Sequence, residues 1–202
     1  MKLFYSPGAC SLSPHIVARE AGLALDLEKV DLKAKKTASG ADYRAINPKG
    51  YVPALQLDDG TVLTEGPAIV QYLADQAPVT GLAPANGSLA RYRLQEWLNF
   101  ISTEIHKQFS PLFNPAATPE VRQAQVEKLG QRFDWLEPQL AGGQFLMGER
   151  FTAADAYLFT VVNWAGVVKM DLSKWPNLTA YRKRVGERPA VQAALRAEGL
   201  AK

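Results

Sequence analysis

Over the first third of the chain the spacing of apolar positions switches repeatedly between two periods. Lys2–Tyr5 is a short strand-like run, Ser11–Ala21 carries apolar residues at helical spacing, and Leu25–Val30 is strand-like again, each bounded by Gly or Pro. That alternation predicts a βαβ unit. A polar stretch, Lys33–Asp42, leads to a short helix near Ala41–Ile46 and the turn Asn47-Pro48-Lys49-Gly50. Pro53–Leu57 then alternates, Asp58-Asp59-Gly60 supplies a hairpin turn, and Thr61–Thr64 returns. Pro67 suits the first turn of a helix reaching about Gln76. The predicted order is β-α-β-α-β-β-α, with the last two strands antiparallel.

From Pro78 to Gly87 the periodicity stops and Gly, Pro and Asn dominate, as in a connector between compact units. Beyond it every apolar pattern is helical: Ser88–Ser110, Pro119–Ala141, Ala153–Val168, Pro176–Glu187 and Pro189 to about Leu200. The division expected is an α/β domain over residues 1–78, a linker over 79–87 and an all-helical domain over 88–202. No internal repeat or low-complexity tract interrupts either half.

Composition narrows the function classes. The chain has 202 residues, 47% hydrophobic and 21% charged, which excludes disorder and suits one or two domains. Its 23 Lys and Arg against 20 Asp and Glu leave a net charge of +3, too small for a protein built to hold phosphate backbones. The beginning MKLFYSPGAC resembles a lipoprotein signal only at Gly8-Ala9-Cys10. Its apolar run ends at Tyr5, short of the roughly 7–15 residues such a signal needs. No stretch approaches the ~18 apolar residues of a membrane span. Cys10 is the single cysteine. No internal disulfide is possible, and the expected compartment is the reducing cytoplasm.

Cys10 stands between the first predicted strand and the first predicted helix, where free backbone N–H groups and the helix dipole favour a thiolate. Cys10-Ser11-Leu12-Ser13 is a C-x-x-S pattern, a redox turn without its second thiol. Such a site holds a mixed disulfide but does not resolve it internally. The competing reading is a small buried residue in a helix cap. Val52-Pro53 precedes a strand, where proline is tolerated at the first position. A trans bond is the ordinary outcome; a cis bond would leave the backbone of Val52 free to meet an extended peptide. Glu65-Gly66-Pro67 opens a helix, so backbone N–H groups face a carboxylate site while Glu65 accepts from an ammonium. A plain acidic helix start is the alternative.

In the long helix, Leu94, Trp97, Leu98, Ile101 and Ile105 define a core face, and Asn99, Thr103 and His106 fall opposite. A solvated polar face explains that, or a site in which His106 transfers protons and Lys107 stabilises an anionic nucleophile. His15 reads as structural, and one cysteine with two separated histidines makes no zinc cluster. Thr152 and Asp155 match a capping box, which makes Asp155 structural. Arg182-Lys183-Arg184 reads as a solvated face.

Together MKLFYSPGACSLSPHI, NPKGYVPALQLDDG, TEGPAIVQYLAD, WLNFISTEIHK and FTAADAYLF resemble the bacterial beta class of glutathione S-transferases over essentially the whole chain. The resemblance implies a thioredoxin-like N-terminal domain with a cis Pro53 and an all-helical C-terminal domain. It also implies a homodimer whose cleft lies between the domains. By the same resemblance Cys10 faces the glutathione sulfur and Val52 pairs its backbone with the cysteinyl part. Glu65 and Gly66 hold the γ-glutamyl end, and Lys35 assists the glycyl carboxylate. Asn99, Thr103, His106 and Lys107 approach glutathione and a hydrophobic electrophile, Glu104 reaches across the dimer, and Ser11 assists the thiolate. The family's usual serine is absent at position 66, where glycine leaves only backbone donors. The implied function is a glutathione transferase of detoxifying type, acting on hydrophobic electrophiles such as halogenated aromatics. Glutathione is its co-substrate, with no metal, nucleic-acid or membrane partner. A glutathione-dependent thiol–disulfide oxidoreductase using Cys10 and a non-enzymatic ligand carrier on the same fold are the alternatives.

Overall fold

The computed structural model describes residues 1–201. Five strands form one mixed sheet: β1 (Lys2–Tyr5), β2 (Asp26–Asp31), β3 (Lys36–Thr37), β4 (Ala54–Gln56) and β5 (Val62–Thr64), in the spatial order β3-β2-β1-β4-β5. β1 and β2 run parallel, with Leu3 opposite Leu27, and the crossover between them is α1 (Leu12–Glu20). β4 pairs antiparallel with both β1 and β5, as the sequence pattern requires. Gly60, at φ +86°, makes the β4–β5 turn possible. The two-residue β3, antiparallel to β2, was not expected, because two residues carry no period.

Helices α2 (Tyr43–Ile46) and α3 (Gly66–Asp75) complete this α/β layer. On one face of the sheet Phe4, Val30, Tyr43, Val52 and Ala54 pack together. α1 and α3 pack against each other, burying Ile16, Val17, Ile69, Val70 and Leu73 completely. This is the thioredoxin-like arrangement, and the Val52-Pro53 bond is cis.

The second compact unit is helical: α4 (Leu89–Phe100), a π-helical stretch (Ile101–His106), α5 (Lys107–Phe109), a 3₁₀ turn (Ser110–Phe113), α6 (Pro119–Gln139), α7 (Ala153–Val162), α8 (Trp164–Val167) and α9 (Pro176–Gly186). Ser88 caps α4 by accepting the Arg91 N–H at 3.2 Å, and Thr118 caps α6 ahead of Pro119. Every residue of α7 is buried. Its start is fixed by Asp155, which accepts the N–H and the hydroxyl of Thr152, the N–H of Leu146 and the hydroxyl of Tyr181, at 2.8–2.9 Å. Burial raises the Asp155 carboxyl above its ordinary range, against the pull of these four donors.

Two expectations need correction. The continuous helix expected over Ser88–Ser110 is divided by the π-helical stretch into α4 and α5, and Ser110 already belongs to the 3₁₀ turn. The division of the chain also differs: one unit comprises Met1–Ala83 together with residues from Glu187 onward, and the other is Pro84–Gly186. The last helix, α10 (Pro189–Ala197), lies against α1, so it is not part of the helical unit. Its amphipathic pattern showed that one face needs covering but not what covers it. Among the described residues no helix is long and apolar enough to cross a membrane.

Candidate functional site

In the first unit the candidate residues converge on the loops at one end of β1 and β4. Cys10 is half-buried just before α1, and its thiol donates to the Val52 carbonyl oxygen at 3.2 Å. The turn carrying it is closed by Ser11, whose hydroxyl donates to the Ser6 carbonyl at 3.2 Å and accepts the Ser6 N–H at 3.1 Å. Ser11 is fully buried and its hydroxyl is committed in both directions. What it can offer a thiolate is backbone, so it shapes the turn rather than touching a sulfur with its side chain. Ser13 turns back to the Cys10 carbonyl at 2.8 Å.

Gly8, at φ +71°, donates its N–H to Glu198 Oε2 at 2.9 Å. The other Glu198 oxygen meets His15 Nδ1 at 2.9 Å, and Arg19 Nε donates to His15 Nε2 at 3.0 Å. An arginine only donates, so Nε2 is the accepting nitrogen and His15 carries its proton on Nδ1, toward Glu198. His15 is therefore structural, and the residue after α10 that it serves pins the Cys10 turn.

Val52 accepts from Cys10 through its oxygen, and its N–H has no hydrogen-bond acceptor among the described residues. Glu65 stands at φ +71° immediately before Gly66, the first residue of α3, whose N–H faces outward from the helix start. Non-glycine residues held at positive φ cost energy and concentrate at binding sites. Lys35, at φ +56°, donates to the Gly50 carbonyl at 2.8 Å and lies over the Tyr51 ring. The structure also adds Lys49, which forms an ion pair with Glu65.

In the helical unit the periodicity argument holds for Asn99 and Thr103 and fails for His106. Asn99 and Thr103 are exposed neighbours, the Thr103 hydroxyl donating to the Asn99 carbonyl at 3.0 Å. His106 is turned inward: its Nδ1 lies 2.6 Å from the Tyr157 hydroxyl and its ring is 4.8 Å from that of Trp164. The cause is the π winding of Ile101–His106, which advances less per residue than an α-helix, so His106 falls short of the solvent face. Such stretches are rare and gather at functional sites. Burial, and secondarily the charge of Lys107, lowers the His106 pKa from 6.5 to about 4. The imidazole is neutral near pH 7 and acts there through hydrogen bonding, while Lys107 keeps an exposed cation beside it.

Phe109, Phe113 and Trp164 continue the aromatic wall, Phe113 being 5.4 Å from Trp164 and 45% exposed. Glu104, expected to reach a second subunit, meets Arg132 of its own chain at 2.7 Å. Among the described residues no group of three or more His, Cys, Asp or Glu side chains is gathered to hold a metal. Lys49, Tyr157, Trp164 and Glu198 escaped the sequence reading, because each acquires its partner through the fold and none sits in a spaced motif.

Family comparison agrees with this arrangement. Residues 8–76 match the glutathione S-transferase N-terminal domain and residues 100–189 its C-terminal domain. The glutathione S-transferase GstA of Escherichia coli O157:H7 is 50% identical over 200 residues, covering 99% of this chain and 100% of that one. Among solved structures, the bacterial transferase BphK, in a ternary complex, is 62% identical with a TM-score of 0.97 over 99% of this chain and 100% of that one. A sphingomonad glutathione S-transferase complexed with glutathione is 50% identical with a TM-score of 0.96, over 100% of both. A thiol at the first helix start, a cis-proline loop beside it and relatives matched from end to end leave one conclusion: the chain belongs to the glutathione S-transferase family.

Proposed function

We propose that the chain binds reduced glutathione on its α/β unit and transfers it to a hydrophobic electrophile. The observation that carries this is the pairing of Cys10 with Val52: a thiol lies 3.2 Å from the carbonyl of a residue whose own N–H has no acceptor among the described residues. A cysteinyl peptide laid along Val52 makes backbone hydrogen bonds there and brings its sulfur to the α1 start. Glu65 and the Gly66 N–H take the ammonium and carboxylate of the γ-glutamyl end, and Lys35 the glycyl carboxylate. Asn99 and Thr103 offer polar contacts from the helical unit, and Glu104 contacts the tripeptide held by a second copy.

Conjugation requires the glutathione thiolate. Backbone N–H groups at the α1 start and the Lys107 cation favour it, and neutral His106 supplies a hydrogen bond. The sulfur then attacks an electrophilic carbon; a carbon–sulfur bond forms and the leaving group departs with its electron pair. Phe113, 45% exposed and backed by the buried rings of Phe109 and Trp164, offers an aromatic surface to the electrophile, which suits halogenated aromatics.

A homodimer is the assembly we propose, supported by the partly exposed ring cluster of Trp97, Phe100 and Trp135, with centroids 4.6–6.1 Å apart. The cytoplasm is the proposed compartment, because the thiol chemistry of a single cysteine needs reducing surroundings.

A second reading, glutathione-dependent thiol–disulfide exchange, is favoured by the half-buried Cys10 thiol in its C-x-x-S turn. One set of assays separates the two: glutathione-dependent turnover of aromatic halides, epoxides and a small disulfide, for the native chain and Cys10→Ala. We expect Cys10→Ala to keep halide conjugation and to lose the glutathione adduct seen by intact mass. Loss of both activities together refutes that division of labour. Turnover of the disulfide alone establishes the second reading.

A further inference from the structure

Resting on the glutathione reading, we infer that Lys49 is a specificity residue for the γ-glutamyl end, matching the site to a zwitterion instead of to a simple amine. Lys49 Nζ donates to Glu65 Oε1 and, at 3.0 Å, to the hydroxyl of Thr64. Its backbone is fixed as well. The Lys49 N–H donates to Asn47 Oδ1 at 3.2 Å, and Gly50 N–H to the Asn47 carbonyl at 2.8 Å. Asn47 is buried and reaches the Tyr51 carbonyl through Nδ2 at 2.8 Å. The NPKG turn thus delivers an ammonium to the residue expected to receive the ligand's ammonium.

The charge balance decides what such a pair selects. Glu65 alone beside a helix start is a site of charge −1 that takes any cation. With Lys49 bound to one of its oxygens the cluster is neutral, and the second oxygen still accepts a ligand ammonium. A ligand bringing an ammonium and no carboxylate adds a positive charge next to Lys49. An α-amino acid head group adds a carboxylate that meets both the Gly66 N–H and the Lys49 charge. At position 66 there is no side chain to bind that carboxylate, so Lys49 is the side chain with the charge to do so. The pair is exposed, at 49% and 68%, so its effect on affinity is moderate, roughly three- to fivefold.

The test is calorimetric titration of the full chain with two S-methylated ligands, which cannot form a disulfide with Cys10. One is S-methylglutathione; the other is its analogue with 4-aminobutyrate in place of the γ-glutamyl group, lacking only the α-carboxylate. The native chain is expected to prefer S-methylglutathione, and Lys49→Met to narrow that preference about fivefold. The amine analogue should bind the variant as well as, or more tightly than, the native chain. Lys49→Arg keeps the charge and should keep the preference. Equal weakening of both ligands by Lys49→Met would overturn the inference, showing that Lys49 only shapes Glu65. Equal tightening would overturn it too, showing that Lys49 merely competes for Glu65, as would an unchanged preference. Failure of the native chain to bind either ligand refutes the glutathione reading and this inference with it. Normal glutathione binding with unchanged selectivity refutes the inference alone.

Discussion

Replacing His106 by Gln removes a titration that burial in the helical unit suppresses, and its effect can be worked out in advance. In the unfolded chain the imidazole titrates near its ordinary value of about 6.5. Folded, burial beside Tyr157 and Trp164 and the neighbouring Lys107 hold it at about 4. Between those values the unfolded chain binds a proton that the folded chain refuses, so stability falls as the pH falls. At about pH 7 both forms are neutral and the contribution is near zero. By about pH 5 the difference amounts to about 2 kcal/mol, approaching about 3 kcal/mol below pH 4. Urea unfolding of the native chain and His106→Gln, at matched protein concentration across that range, isolates it. With a urea slope of about 2 kcal/mol per molar, the native midpoint should drop by about 1 M more than that of the variant. Parallel loss in the two proteins would refute the reasoning, because His106 would then take up its proton equally well in the folded state. The same neutrality means that the pH profile of conjugation should show no step near pH 6.5 that His106→Gln abolishes.

Two further substitutions test the buried polar groups. Asp155→Ala strands four donors around the start of α7 and should cost about 4 kcal/mol in urea or thermal unfolding, with Asp155→Asn costing less; a loss below about 1 kcal/mol would contradict the network. Glu198→Ala removes the carboxylate that accepts from Gly8 N–H and His15 Nδ1 and should destabilise by about 3 kcal/mol. It should also speed the reaction of Cys10 with a neutral alkylating reagent, and an unaltered rate would show that the turn holds without its C-terminal anchor.

The fold was legible wherever period and punctuation agreed. β1, α1, the β4–β5 hairpin and the capping box of α7 all follow from local spacing. β3 was invisible because two residues establish no alternation. The π stretch was invisible for another reason: Ile101, Ile105 and Phe109 keep the same four-residue spacing of buried positions that an α-helix has, so the apolar pattern is blind to the loosened turns between them. Of the site, Cys10, Glu65 and Gly66 announced themselves through helix-start chemistry. Val52 was a candidate from its place before Pro53, with the cis and trans bonds both open, whereas Lys35 and Glu104 entered only through resemblance. Lys49 had no local signal at all, since its meaning depends on Glu65 sixteen positions later, brought beside it by the hairpin.

Because residues from Glu187 onward rejoin the unit begun by Met1, the helical unit is in topological terms an insertion, and the α/β unit is assembled from the two ends of the chain. During synthesis that unit stays unfinished until Glu198 has emerged, after the whole of the helical insertion, so the Cys10 turn is secured only once the helical unit has been made. A fragment ending near residue 83 should be a poor stand-in for the glutathione-binding half. A short tether joining residue 187 directly to residue 83 should make a better one, since it restores the missing helix and deletes the insertion.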